Sequence, residues 1–119
     1  MTGGQSEVVL YHNPRCSKSR AALALLQSHG IRPQVIEYLK EPPSAETLAD
    51  ILAMLALSPR QLLRAKEAAA AGLDDPALDD AALIAGMVAN PIVIERPIVV
   101  CAGRARIGRP PEAVLDVLR

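Results

Sequence analysis

Residues 8 to 39 read as strand, helix, strand, and that order constrains the fold more than any other feature of the chain. "VVLYH" (8–12) is a short β-branched and aromatic run, the composition of a buried strand. From Ser17 to Gly30 a helical stripe carries Ala22, Leu25, Leu26 and His29, and Gly30 supplies the stop. A second strand, "PQVIEYL", starts just after Pro33 and is closed by Pro42-Pro43. Two strands joined through a helix require a crossover, and such crossovers are right-handed almost without exception.

Three helices are expected next. Ser44, with Thr47 behind it, opens one whose Leu48, Ile51, Leu52 and Leu55 share a face. Ser58 caps another, led by Pro59 and carrying Leu62, Leu63 and Arg64, which ends near Gly72. Asp79 starts the third, with Leu83, Ile84, Met87 and Val88, and Asn90-Pro91 stops it. "PIVV" and "RARIG" then read as a strand pair turning at Ala102-Gly103. Pro110-Pro111 opens a last helix with Val114, Leu115 and Leu118 inward. The order β-α-β, helical insertion, β-β-α lets the hairpin add antiparallel strands to a mixed sheet. This is the α/β plan of thioredoxin-like folds. There is no internal repeat; residues 1–7 are expected to be a flexible tail and 8–119 a single domain.

Composition removes several classes of function. The 119 residues include two Tyr and neither Phe nor Trp, so the core must be aliphatic and base-stacking platforms are missing. Thirteen Lys and Arg balance thirteen Asp and Glu, so net charge favours no nucleic acid or acidic surface. No apolar run reaches membrane-spanning length and the N-terminus lacks a signal-peptide core. A cytoplasmic protein with no membrane or nucleic-acid partner is expected, its two cysteines, Cys16 and Cys101, reduced.

Chemistry concentrates at "YHNPRCSKSR" (11–20). Cys16 falls where the first strand gives way to the first helix, where unpaired N–H groups carry positive partial charge. A thiolate is stabilised there, as is a tetrahedral oxyanion brought to it. Ser17 and Ser19 can add hydroxyls, and Arg20, joined by His12 and Arg15 if the loop folds back, adds positive charge, so Cys16 reads as a nucleophile. Most lone cysteines are buried hydrophobes. Cys101, at the end of "IVV", fits that description; Cys16, among polar and cationic neighbours, does not. The position three after Cys16 is Ser19, so no C-x-x-C pair can resolve an oxidised Cys16. Cys101 could do so only if the fold brings it within disulfide reach; otherwise an external thiol is the natural resolver. No metal ligand set is apparent, and no bound cofactor is expected.

"HNPRCSKSR" resembles the active-site loop of the arsenate reductase (ArsC) family of the glutaredoxin-dependent type, H-N-P-x-C-x-x-S-R. "ERPIVV" resembles the family's R-P-I segment, "GRPPE" its late R-P-x-E motif, and "PRQLLRAKE" the segment that carries another arginine. The wording is closest to a housekeeping branch of the family. The resemblance implies Cys16 as the nucleophile toward arsenic, His12 favouring its thiolate and Ser19 hydrogen-bonding that thiolate. It implies Arg64, Arg96 and Arg109 as oxyanion-binding residues and Pro97 as a cis-proline facing the thiol. It further implies arsenate or a similar oxyanion as substrate, glutathione as co-substrate and glutaredoxin as partner. A sister group, the Spx-like regulators that bind RNA polymerase, lacks the counterparts of His12 and Arg109, so their presence favours catalysis; a glutathione-linked thiol transferase is a further alternative.

Overall fold

A computed structural model describes residues 7–118. The tail expected over residues 1–7 lies outside the described residues except for Glu7. By contact, the chain parts into two compact units: residues 1–37 with 96–119, and residues 38–95.

The first unit holds the sheet. Its strands are β1 (Val8–His12), β2 (Gln34–Glu37), β3 (Ile98–Cys101) and β4 (Arg104–Ile107), in the order β2-β1-β3-β4. β1 runs parallel to β2 and antiparallel to β3, which runs antiparallel to β4. The mixed sheet is thus the expected one, with β2 shorter than "PQVIEYL" suggested. Alternation along β1 sends Val8, Leu10 and His12 to one face, where all three are buried. Val8 and Leu10 meet Val99 and Cys101 of β3, Ala22 and Leu26 of helix α1 (Ser17–Ser28), and Val114 and Val117 near the C-terminus. The expected α1 stripe holds except for His29, which is exposed beyond the helix end.

The β3–β4 hairpin turns at Ala102 (φ 53°) and Gly103 (φ 76°). Two successive positive φ values are what a tight two-residue hairpin requires. The last segment, Pro111–Leu118, is a 3₁₀ helix rather than an α-helix. Its three-residue period keeps Val114 inward as expected, brings in Val117 rather than Leu115 and Leu118, and leaves Leu118 exposed.

The second unit is helical: α2 (Ala45–Leu55), α3 (Ala65–Ala70) and α4 (Asp80–Ala89), with 3₁₀ turns at Pro59–Leu62 and Pro91–Val93. The single helix expected between Ser58 and Gly72 is broken. A capping box between Ser58 and Gln61 closes one tight turn, and Leu63 then extends to bridge Ile94. The Arg64 amide donates to the Val93 carbonyl at 2.7 Å and the Glu95 amide to the Leu62 carbonyl at 2.9 Å, so distant backbone holds the break open. Local periodicity carries no sign of such partners. No helix among the described residues is long and apolar enough to cross a membrane.

The sheet also separates the two free cysteines. Cys101 pairs with Val8, whereas Cys16 follows His12 at the other end of β1. At ~3.3 Å per residue, Val8 to His12 alone spans about 13 Å, against the roughly 7 Å limit between Cα atoms for a disulfide. Mild oxidation of the native protein is therefore expected to leave no Cys16–Cys101 disulfide. Peptide mapping by mass spectrometry without reduction checks this, and recovery of that cross-link from native protein would contradict the register.

Candidate active site

β1 ends at His12, and three residues turn the chain into α1. Asn13 and Pro14 occupy the first two positions of that turn, where these residue types are favoured. The Asn13 carbonyl accepts the Cys16 amide at 3.0 Å, and its side-chain Oδ1 accepts the Arg15 amide at 3.0 Å. Arg20 reaches back to donate to the Pro14 carbonyl at 2.9 Å. Cys16 is left as the N-cap of α1, in extended backbone (φ −92°, ψ 123°), with its carbonyl accepting the Arg20 amide at 3.0 Å.

An N-cap side chain faces the unpaired amides of the first turn. The half-buried Cys16 sulfur closes no cap hydrogen bond there, yet its thiol is shifted below the ordinary value. Burial pushes the thiol up; the amides of Ser19 and Lys18 and the hydrogen-bonding, positively charged Arg96 guanidinium together outweigh it. The first turn carries no acidic residue, and Lys18 and Arg20 stand near the positive end of the helix dipole. Cations there are unfavourable by about 0.3–1 kcal/mol each.

Ser19 occupies a different place from the one its hydroxyl suggested. It is fully buried, and its Oγ lies 2.6 Å from His12 Nδ1 and accepts the Asn13 amide at 3.0 Å. Its main-chain N–H, rather than the hydroxyl, serves the thiol. His12 also departs from expectation. Burial lowers its pKa below the usual histidine value, the Glu37 carboxylate opposes this and Arg20 adds to it. The shift works against a positive charge on the imidazole, whose Nδ1 is engaged with the Ser19 hydroxyl.

Arg96 precedes β3 and is buried, with 8% of its surface exposed. The Arg96–Pro97 peptide is cis, as expected, and so is Arg109–Pro110, which was not foreseen. Arg109 Nε donates to the Arg96 carbonyl at 3.1 Å, and the Gly108 amide donates to the Pro97 carbonyl at 2.8 Å. Two of the three expected oxyanion-binding arginines are thereby tied together. Arg64 lies in the second unit as the N-cap of α3, its Nε 3.3 Å from Glu67 Oε1 and 3.7 Å from Glu95 Oε1.

Three participants escaped the sequence reading. Asn13 carries a local signal, since Asn-Pro marks a turn. Glu37 acts on His12 because parallel register sets the two residues opposite each other, which no local pattern reveals. Gly108 is needed for close packing: a Cβ there would lie 2.7 Å from Pro97 Cγ and 3.0 Å from Val114 Cγ1. No group of His, Cys, Asp or Glu among the described residues could hold a metal ion.

A mixed β-α-β and hairpin sheet with a lone cysteine at the start of its first helix defines a thioredoxin-like protein with a single thiol at that junction. The chain belongs to the ArsC family, whose model matches residues 11–117. It is 51% identical over 115 residues to the uncharacterised protein YfgD of Escherichia coli K12, covering 94% of this chain and 97% of that one. An arsenate reductase of Neisseria meningitidis is 46% identical over 115 residues, covering 94% and 98%. Among solved structures, the arsenate reductase from Vibrio cholerae matches with a TM-score of 0.90 at 51% identity, covering 95% of this chain and 98% of that one.

Two outcomes follow from this geometry. The rate of Cys16 alkylation against pH should show a midpoint below that of an ordinary thiol, and Arg96→Met should move it upward by removing a charge that favours the thiolate. Gly108→Ala should destabilise the fold by about 1–3 kcal/mol and also raise the Cys16 midpoint, because Pro97 cannot yield without shifting Arg96. Thermal melts and the same alkylation profile check both; an unshifted profile in a less stable variant would limit Gly108 to packing.

Proposed function

We propose that this protein reduces arsenate to arsenite through an adduct between Cys16 and arsenic, resolved by glutathione and glutaredoxin. The observation that carries the reading is the Arg96 guanidinium on the Cys16 thiol, with Arg109 latched to the Arg96 carbonyl. Relatives named arsenate reductases, matching along nearly the whole chain, support it.

The chemistry starts with the thiolate. Cys16 attacks arsenic, an S–As bond forms, and one arsenate oxygen leaves as water after protonation. Planar guanidiniums pair with tetrahedral oxyanions in a bidentate way, so Arg96 and Arg109 would hold the remaining oxygens and stabilise the charge that builds up during attack. The family resemblance implies Arg64 as a third oxyanion-binding arginine. His12 and Ser19 hold the loop that presents the thiol, through the short Nδ1–Oγ contact. Reduction of As(V) to As(III) takes two electrons, supplied by two thiols that leave joined as a disulfide. Cys101 is at the wrong end of β1 to be the second, which supports a thiol from outside; glutathione is the one proposed.

NADPH consumption with arsenate, glutathione, glutathione reductase and glutaredoxin tests this directly. Cys16→Ser should abolish turnover, since a hydroxyl is a far weaker nucleophile at neutral pH. Arg96→Ala and Arg109→Ala should each lower kcat/KM on the order of ten- to a hundred-fold, the cost of one charge-assisted hydrogen bond. Cys101→Ser should retain activity close to that of the unsubstituted protein. A reactive Cys16 with no arsenate turnover under any thiol donor would instead support a glutathione-linked thiol transferase.

A further inference from the structure

The sheet has a second opening, at the end away from Cys16. Val8 pairs with Cys101 there, at the opposite end of the β1–β3 ladder from Tyr11 and Ile98. Three element ends diverge at this point. α1 closes with the Gly30 amide on the Gln27 carbonyl and the Ile31 amide on the Leu26 carbonyl, both at 3.0 Å, and Gly30 (φ 76°) turns the chain away. The β3–β4 hairpin reverses at Ala102 and Gly103, and the closing 3₁₀ helix stops at Leu118. Between them lies a cavity of about 680 Å³, all of whose lining residues belong to the first unit. Small-molecule sites commonly have roughly 300–1,000 Å³.

The lining divides by chemistry. Val8, Cys101 and Val117 are buried and make an apolar floor, which Ile31 and Ala102 extend. Charge is confined to Glu7, Arg32 and Arg104, all exposed at the mouth. Arg104 is committed to the wall, where it donates to the Val117 carbonyl at 2.6 Å. Arg32 has no such tie among the described residues, so it is the cation placed to meet an arriving anion. Two guanidiniums against one carboxylate leave a single positive charge in excess.

That combination narrows the ligand. An inorganic oxyanion would leave the apolar floor uncovered. A sugar phosphate would press hydroxyls on Val8, Cys101 and Val117, where unpaired polar groups are costly. A nucleobase would find no aromatic ring to stack on. A molecule with one negative charge and a hydrocarbon body meets both halves of the lining. We propose that this cavity binds a small organic acid, its carboxylate at Arg32 and its hydrocarbon chain over Val8, Cys101 and Val117. The site is separate from Cys16 and needs neither arsenate nor an external thiol.

The test is a titration of the unsubstituted full chain with octanoate below its micelle concentration, followed by amide NMR spectra. Saturable shifts should gather at Ile31, Arg32, Ala102–Arg104 and Val117. Butanoate should bind at least about tenfold more weakly, since four methylenes no longer cover the floor. Octanoate should bind about two- to fivefold tighter than octylammonium, the size of one exposed ion pair, and Arg32→Gln should narrow that preference. As a second reading, saturating octanoate should slow alkylation of Cys101 several-fold in the full chain with Cys16→Ser. Shifts that do not saturate, or that centre on residues 12–20, would overturn the proposal. So would equal binding of octylammonium, or an Arg32→Gln protein that keeps the full preference. No step involves arsenate, so failure here leaves the reading of Cys16 untouched.

Discussion

The Asn13 carbonyl that accepts the Cys16 amide ends one element and begins another. Because of this bond the thiol meets the first turn of α1 at the N-cap, where main-chain donors are free. The side-chain oxygen of Asn13 fixes the next amide along, and its own amide is fixed by Ser19. His12 closes the circuit through Ser19 at 2.6 Å. The loop is thus held by buried polar contacts, while the sulfur it presents stays accessible. Buried polar groups that are satisfied rigidify a loop, and here they do so beside the Cys16 thiol.

A second set of contacts comes from the far end of the sequence. Pro97, Gly108 and Arg109 brace the residue that places a positive charge on the thiol, and they do so mainly through backbone carbonyls. The brace needs close approach, which explains a glycine at 108. It also joins the ends of β3 and β4 nearest the site, since Ile98 and Ile107 are paired partners. The antiparallel hairpin therefore does more than complete the sheet. It brings two arginines, thirteen residues apart in sequence, to the carbonyl of one of them.

Much of this was legible in the sequence because the signals were local. The β1–α1 junction, the cap at Ser44, the stop at Asn90-Pro91 and the turn at Ala102-Gly103 all rest on residues within a few positions of the feature they set. What escaped depends on partners far along the chain. The break at Leu63 is held by Val93, Ile94 and Glu95, and the influence of Glu37 on His12 by strand register. The 3₁₀ form of the last segment shifted its inward residues because a period of three replaced one of 3.6. For the candidate site the donors to the thiol differ from those expected: main-chain amides stand where hydroxyls were expected, and burial works against the charge that a folded-back His12 was expected to add.

β4 ends the sheet, and a terminal strand leaves backbone groups open to pairing with another molecule. Its four residues include Arg104 and Arg106, both exposed. Arg104 also donates to the Val117 carbonyl, and Arg106 lies 3.8 Å from Asp116, so the border is tied to the closing helix. A second copy adding itself antiparallel here would set guanidinium against guanidinium, and like charges directly opposite are unfavourable. The same two arginines that look like ordinary surface residues thus guard a seam along which sheets could otherwise grow, and keep the hairpin that braces the site from recruiting copies of itself.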